Sequence, residues 1–134
     1  MSDVLIVDDA SDVRALVAGL LSIEGIPHRT ARHGGEALAC IRQAPPAVVL
    51  LDIDMPVMNG PEFCQRLHAA GARDDIAIVV MTAGAQAAAY ERQCAADAML
   101  PKPFDIDQLL ATVTRFLHEA DDDSTAPVPD SPGS

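Results

Sequence analysis

Val4-Leu5-Ile6-Val7 runs directly into Asp8-Asp9, and that step from apolar run to acid decides the reading of the chain. It recurs: Val48-Val49-Leu50-Leu51 leads into Asp52, Ile78-Val79-Val80-Met81 into Thr82, and Ala98-Met99-Leu100 into Pro101-Lys102-Pro103. Short unbroken apolar runs read as parallel strands buried on both faces. In open α/β sheets ligands bind outside the carboxyl ends of such strands. Asp8, Asp9, Asp52, Thr82 and Lys102 are therefore expected to converge on one cleft. Singly, an acid after a strand is a common turn or cap residue. Five polar residues at successive strand ends form a pattern.

Between the strands the apolar spacing changes to helical. Val13, Leu16, Val17, Leu20 and Leu21 predict one helix face, ending near Gly25. Ile26 to Ala31 is a weaker strand, interrupted by Pro27 and so expected at the sheet edge. Glu36 to Arg42 predicts a short helix stopped by Pro45-Pro46. A further helix starts at Pro61 with Phe63 and Leu67 inward, and an Ala-rich one covers Gly84 to Cys94. Asp105 caps a last helix carrying Ile106, Leu109, Leu110, Val113, Phe116 and Leu117. Alternating strands and helices predict a doubly wound α/β fold of five parallel strands and five helices.

At 134 residues the chain suits one domain and a tail. Residues 1–119 are assigned to the domain, and 120–134, rich in Asp, Ser and Pro, to a disordered tail. Aromatic residues are only 3%, so aliphatic side chains and Met must fill the core. A net charge of −11 argues against nucleic acid or an anionic membrane surface as a direct partner. Clustered carboxylates suit a hard divalent cation instead. Cys40, Cys64 and Cys94 have no CxxC spacing, which points to buried free thiols in a reducing cytoplasm. His28, His33, His68 and His118 share no motif and read as packing or surface residues. The sequence shows no long apolar span.

A carboxylate at Asp52 can attack a phosphoryl group and become an acyl phosphate. Both partners are anionic, so positive charge must be supplied. Asp8 and Asp9 could hold Mg²⁺, Lys102 could meet a second phosphoryl oxygen, and Thr82 could bond to a third.

These residues resemble the receiver domain of two-component response regulators, the CheY-like family, from Ser2 to about Glu119. Asp8-Asp9, Asp52-x-x-x-Pro56-x-x-x-Gly60, Met81-Thr82-Ala83 and Lys102-Pro103-Phe104 carry the resemblance. It implies a flavodoxin-like sheet of order 2-1-3-4-5. It also implies Asp52 as phosphoacceptor, Thr82 and Lys102 as its catalytic neighbours, and Mg²⁺ on Asp8, Asp9, Asp52 and the Asp54 backbone carbonyl, Asp9 being the expected direct ligand. A cis Lys102-Pro103 bond is implied as well. The implied partners are a histidine kinase or histidine phosphotransfer protein, docking near Arg14 and Phe104, and a downstream target protein.

Two positions depart from the family pattern. The switch aromatic falls on Met99, paired with Thr82 in the switching role, and the position two past Thr82 is Gly84. Asp54 and Gly84 leave the acyl-phosphate lifetime open. The resemblance thus leads to the expectation of a single-domain response regulator signalling by phosphorylation-dependent binding or phosphorelay. Rival readings are a receiver-like module that never takes up phosphate, and a Mg²⁺-dependent phosphohydrolase of the haloacid-dehalogenase type with Asp52 as nucleophile and Asp54 as general acid. The phosphohydrolase requires its acidic metal pair after the lysine, where this chain has a Pro/Ser tail.

Overall fold

The computed structural model describes residues 3–52, 62–63, 65–66, 76–82, 96–102 and 105–124, with side chains through residue 119. The elements are β1 (Val4–Val7), α1 (Ser11–Ile23), β2 (His28–Ala31), α2 (Gly34–Gln43), β3 (Val48–Asp52), β4 (Ala77–Thr82), β5 (Ala98–Pro101) and a C-terminal helix, α3 (Ile106–Ser124). The strands form one parallel sheet of order β2-β1-β3-β4-β5, as the resemblance implied. Three helices are described. The expected Pro61 and Gly84–Cys94 helices fall largely outside the described residues, although Phe63 is helical and fully buried.

Strand side chains alternate between faces, and the alternation sorts the core into two layers. Leu5, Val7, Val49, Leu51, Ile78 and Val80 face α2 residues Ala37, Leu38 and Ile41, together with Phe63. Val4, Ile6, Val48, Leu50, Val79, Met81 and Leu100 face α1 and α3 through Val17, Leu21, Leu109, Val113 and Phe116. Both faces are covered, which is why these strands read as continuous apolar runs rather than alternating ones. β1 lies between β2 and β3, so the direction of sheet growth reverses there and a crevice opens at the carboxyl ends of β1 and β3.

The helix ends follow local chemistry. Gly25, at φ 70, closes α1, with its N–H bonded to the Ser22 carbonyl and the Ile26 N–H to the Leu21 carbonyl. That pair of bonds satisfies carbonyls the helix leaves open, and the left-handed backbone suits glycine. His33 precedes α2 and accepts the Glu36 N–H on Nδ1 at 3.2 Å. Asp105 accepts the Asp107 N–H at 2.9 Å, as its capping role requires. Arg29 on the edge strand β2 ties Asp3 to the carbonyls of Cys40 and Ala44, closing the end of α2.

Some expectations need correction. Leu16, placed on the α1 core face, is 52% exposed, because the sheet contacts only the stripe around Val17 and Leu21. Ile106 is likewise exposed at the start of α3. Cys40 is a free thiol, as expected, but half-buried; Cys64 and Cys94 lie outside the described residues. β2 starts at His28 rather than Ile26, and α2 spans Gly34–Gln43, wider than the expected Glu36 to Arg42. The boundary expected at residue 120 falls inside α3, which runs to Ser124 with no Gly or Pro to interrupt it. Residues 125–134 lie outside the described residues. No described helix is long and apolar enough to cross a membrane.

Candidate functional site

The site is built from the sheet outward. Asp8 follows β1, Asp52 and Thr82 are the last residues of β3 and β4, and Lys102 follows β5. Register brings them together: Val7 pairs with Leu51, Asp52 with Met81, and Thr82 with Pro101. The ladder extends one step further, since the Lys102 N–H donates to the Thr82 carbonyl at 2.9 Å. The lysine backbone is thereby fixed beside the threonine.

One carboxylate oxygen from each of Asp8, Asp9 and Asp52 lies within 4.8 Å of the others. Asp8, Asp52 and Thr82 are almost wholly buried, at 0%, 3% and 2% exposure, whereas Asp9 is exposed. Lys102 Nζ stands 3.3 Å from Asp52 Oδ1 and 3.6 Å from Asp8 Oδ2. One cation thus sits against two buried acids. Asp8 Oδ1 accepts the Ala10 N–H at 2.9 Å, but Asp8 Oδ2 is buried and receives no hydrogen bond among the described residues.

Burial raises the Asp8 carboxyl most, from an ordinary 3.8 to about 6. The Ala10 N–H pulls it down, the neighbouring Asp52 charge raises it again, and Lys102 lowers it. The Asp8 carboxyl thus sits above its ordinary range, and its buried Oδ2 accepts no hydrogen bond among the described residues, with Lys102 Nζ 3.6 Å away. An all-oxygen carboxylate set fits a hard divalent ion such as Mg²⁺. These residues fit that group.

The sequence placed Asp8, Asp9, Asp52, Thr82 and Lys102 in one cleft, and the described residues bring all five to the same end of the sheet. Met99 is half-buried on β5, opposite Val80. Asp54, Gly84, Pro103 and Phe104 lie outside the described residues. Arg14, read from sequence only as a docking residue, donates Nη1 to the Asp8 backbone carbonyl at 2.8 Å. Its place on the first turns of α1, six residues past Asp8, was the available signal.

Comparison with known proteins agrees with this geometry. The family model described as the response regulator receiver domain matches residues 4–114. The response regulator MprA of Mycobacterium sp. strain KMS is 38% identical over 133 residues, covering 96% of this chain and 55% of that protein. MprA of Mycobacterium leprae is 35% identical over 127 residues, covering 92% and 54%. The chain therefore spans about half the length of these regulators. Among solved structures, the Vibrio cholerae chemotaxis protein CheY4 superposes with a TM-score of 0.79 at 32% identity, covering 87% of this chain and 98% of that one. A CheY-like receiver domain protein from Methanospirillum hungatei gives 0.80 at 31% identity, covering 90% and 98%. A receiver-domain match across residues 4–114, relatives by sequence and by structure, and a sheet of order 2-1-3-4-5 agree, and the chain belongs to the response regulator receiver domain family.

Proposed function

We propose that Asp52 accepts a phosphoryl group from a phosphohistidine of a histidine kinase or histidine phosphotransfer protein, at a site that uses Mg²⁺. The observation that carries this reading is the buried Asp8–Asp52 pair with half-buried Lys102 against it: among the described residues Asp8 Oδ2 accepts no hydrogen bond, while Lys102 Nζ lies 3.3 Å from Asp52 Oδ1. Asp8, Asp9 and Asp52 would hold the ion, with the Asp54 carbonyl as a further ligand. When bound, the ion supplies positive charge that neutralises the approaching anions.

The chain's own residues then divide the work. An Asp52 carboxylate oxygen forms a bond to phosphorus as the donor's P–N bond breaks, and the imidazole leaves with that electron pair. Lys102 gives up its contact with Asp52 Oδ1 to follow the developing charge onto a phosphoryl oxygen. Thr82, at the end of β4, donates its hydroxyl to another. Burial of Asp52 and Thr82 limits water, which suits slow hydrolysis of the acyl phosphate.

Arg14 and Phe104 are the residues the donor is proposed to dock against. On the output side, Thr82 moves toward the phosphoryl group and Met99 refills the space, a flexible side chain reporting the change less sharply than an aromatic one. The changed surface is read by a downstream protein or serves onward relay.

The deciding experiment is phosphoryl transfer from a phosphorylated histidine kinase to wild type and Asp52→Asn, with circular dichroism as a fold control. Transfer should require Mg²⁺ and vanish in the variant, because the amide is a poor nucleophile of similar size. An acyl phosphate forming on Asp52→Asn would mean the acceptor is elsewhere. No uptake by wild type from any phosphodonor would favour the phosphorylation-independent module.

A further inference from the structure

We propose that Arg14 is a positioning residue for the divalent-cation site, fixing the backbone on both sides of Asp9 and so aiming the Asp9 carboxylate. The inference rests on the reading that Asp8 and Asp9 hold the cation.

Asp9 is exposed, and among the described residues no hydrogen bond holds its side chain. What aims its carboxylate is therefore its backbone. The peptide group before it is rigid and planar, and the carbonyl oxygen of that group, Asp8 O, accepts Arg14 Nη1 at 2.8 Å. The peptide group after it carries the Ala10 N–H, which donates to Asp8 Oδ1 at 2.9 Å. Asp8 is itself anchored, since its own N–H donates to the Ala31 carbonyl of β2 at 3.2 Å. Both peptide planes flanking Asp9 are thus pinned, one by the Arg14 side chain and one by the Asp8 side chain.

The first turn of α1 does not supply this order by capping, because Ala10 occupies the cap position and offers no side-chain acceptor. Arg14 can supply it. It is half-buried and lies one helical turn past Ala10, its own N–H bonded to the Ala10 carbonyl at 3.0 Å. Without the guanidinium, the Asp8–Asp9 peptide can rotate and the Asp9 carboxylate samples directions away from Asp8 and Asp52. A ligand that must be ordered at the moment of binding binds its metal less tightly.

Arg14 also brings a positive charge near a cation site, and the two effects have opposite signs. As a bare charge Arg14 repels Mg²⁺, so its removal would tighten binding; as a positioning residue its removal weakens binding. Arg14→Met keeps a helix-forming side chain of similar reach without a donor, Arg14→Lys keeps the charge with a single compact donor group, and Arg14→Gln is the substitute if the Met variant does not fold. Mg²⁺ affinity is read by titration calorimetry and by the Asp9 amide resonance. Urea midpoints in chelator report apo stability separately, and no phosphodonor is involved, so a docking role for Arg14 cannot enter.

The expected result is about 10-fold weaker Mg²⁺ binding for Arg14→Met, the lower range for residues that orient a metal ligand, with partial recovery for Arg14→Lys. Unchanged or tighter Mg²⁺ binding by Arg14→Met, or a lowered apo urea midpoint with unchanged affinity, overturns the proposal. Asp9→Ala is the control. If wild type binds Mg²⁺ and Asp9→Ala loses it while Arg14→Met does not, this inference alone fails. If wild type does not bind Mg²⁺, the functional reading fails with it.

Discussion

Replacing Asp8 by Asn should stabilise the cation-free protein while removing its response to Mg²⁺. Burial, with the Asp52 charge beside it, raises the Asp8 carboxyl from 3.8 to about 6. The folded chain therefore holds a proton that the unfolded chain releases across that interval, and unfolding free energy falls as pH rises from about 4 to about 6. Above it the cost of an ionised Asp8 in the fold is fully present. At about 1.4 kcal/mol for each pH unit, the rise corresponds to about 3 kcal/mol. Asn keeps an oxygen for the Ala10 N–H and turns an amide toward Asp52, but loses the Lys102 attraction. A net gain of about 1–3 kcal/mol is expected at about pH 8 in chelator. At about pH 4 the gain should vanish, because Asp8 then carries a proton in the folded protein. Urea denaturation of both proteins at the two pH values measures this directly. Mg²⁺ at a hundredfold its dissociation constant should add about 2.7 kcal/mol to wild type and much less to the variant. An Asn variant less stable than wild type at pH 8, or one with the same gain at both pH values, would refute the account in which burying an ionised Asp8 beside Asp52 costs stability.

Lys102→Met removes the cation lying between Asp8 and Asp52. The cation-free protein should lose about 1–3 kcal/mol at about pH 8, yet bind Mg²⁺ more tightly and take up phosphate poorly; calorimetric titration showing weaker Mg²⁺ binding would contradict this. Leu21→Ala should cost about 2–5 kcal/mol, since Leu21 is fully buried against the sheet. Leu16→Ala, at 52% exposure on the same helix, should stay within about 0.5 kcal/mol, and comparable urea midpoints for the two would mean α1 is packed differently.

The sequence by itself determined the sheet and the identity of the cleft. Apolar runs such as Val48-Val49-Leu50-Leu51, alternating with helical patterns, read as strands covered on both faces, and a polar residue closing each run then emerges at a carboxyl end, so Asp52 and Thr82 were legible before any packing was known. Helical spacing also located α1 and α3, because burying one stripe against a sheet demands it. It could not say how wide the stripe is. Leu16 and Val17 are equally apolar, and only the area the sheet covers separates an exposed side chain from a buried one. Nor could it find contacts made through backbone groups, which carry no residue signature. The Arg14 bond to the Asp8 carbonyl, the Arg29 bonds to the carboxyl end of α2 and the His33 cap are of that kind. Tertiary structure alone decided the electrostatics as well: Asp8 and Asp9 are chemically identical neighbours, but the chain turns between them, leaving one buried with a bare oxygen beside Asp52 and Lys102 and the other facing solvent.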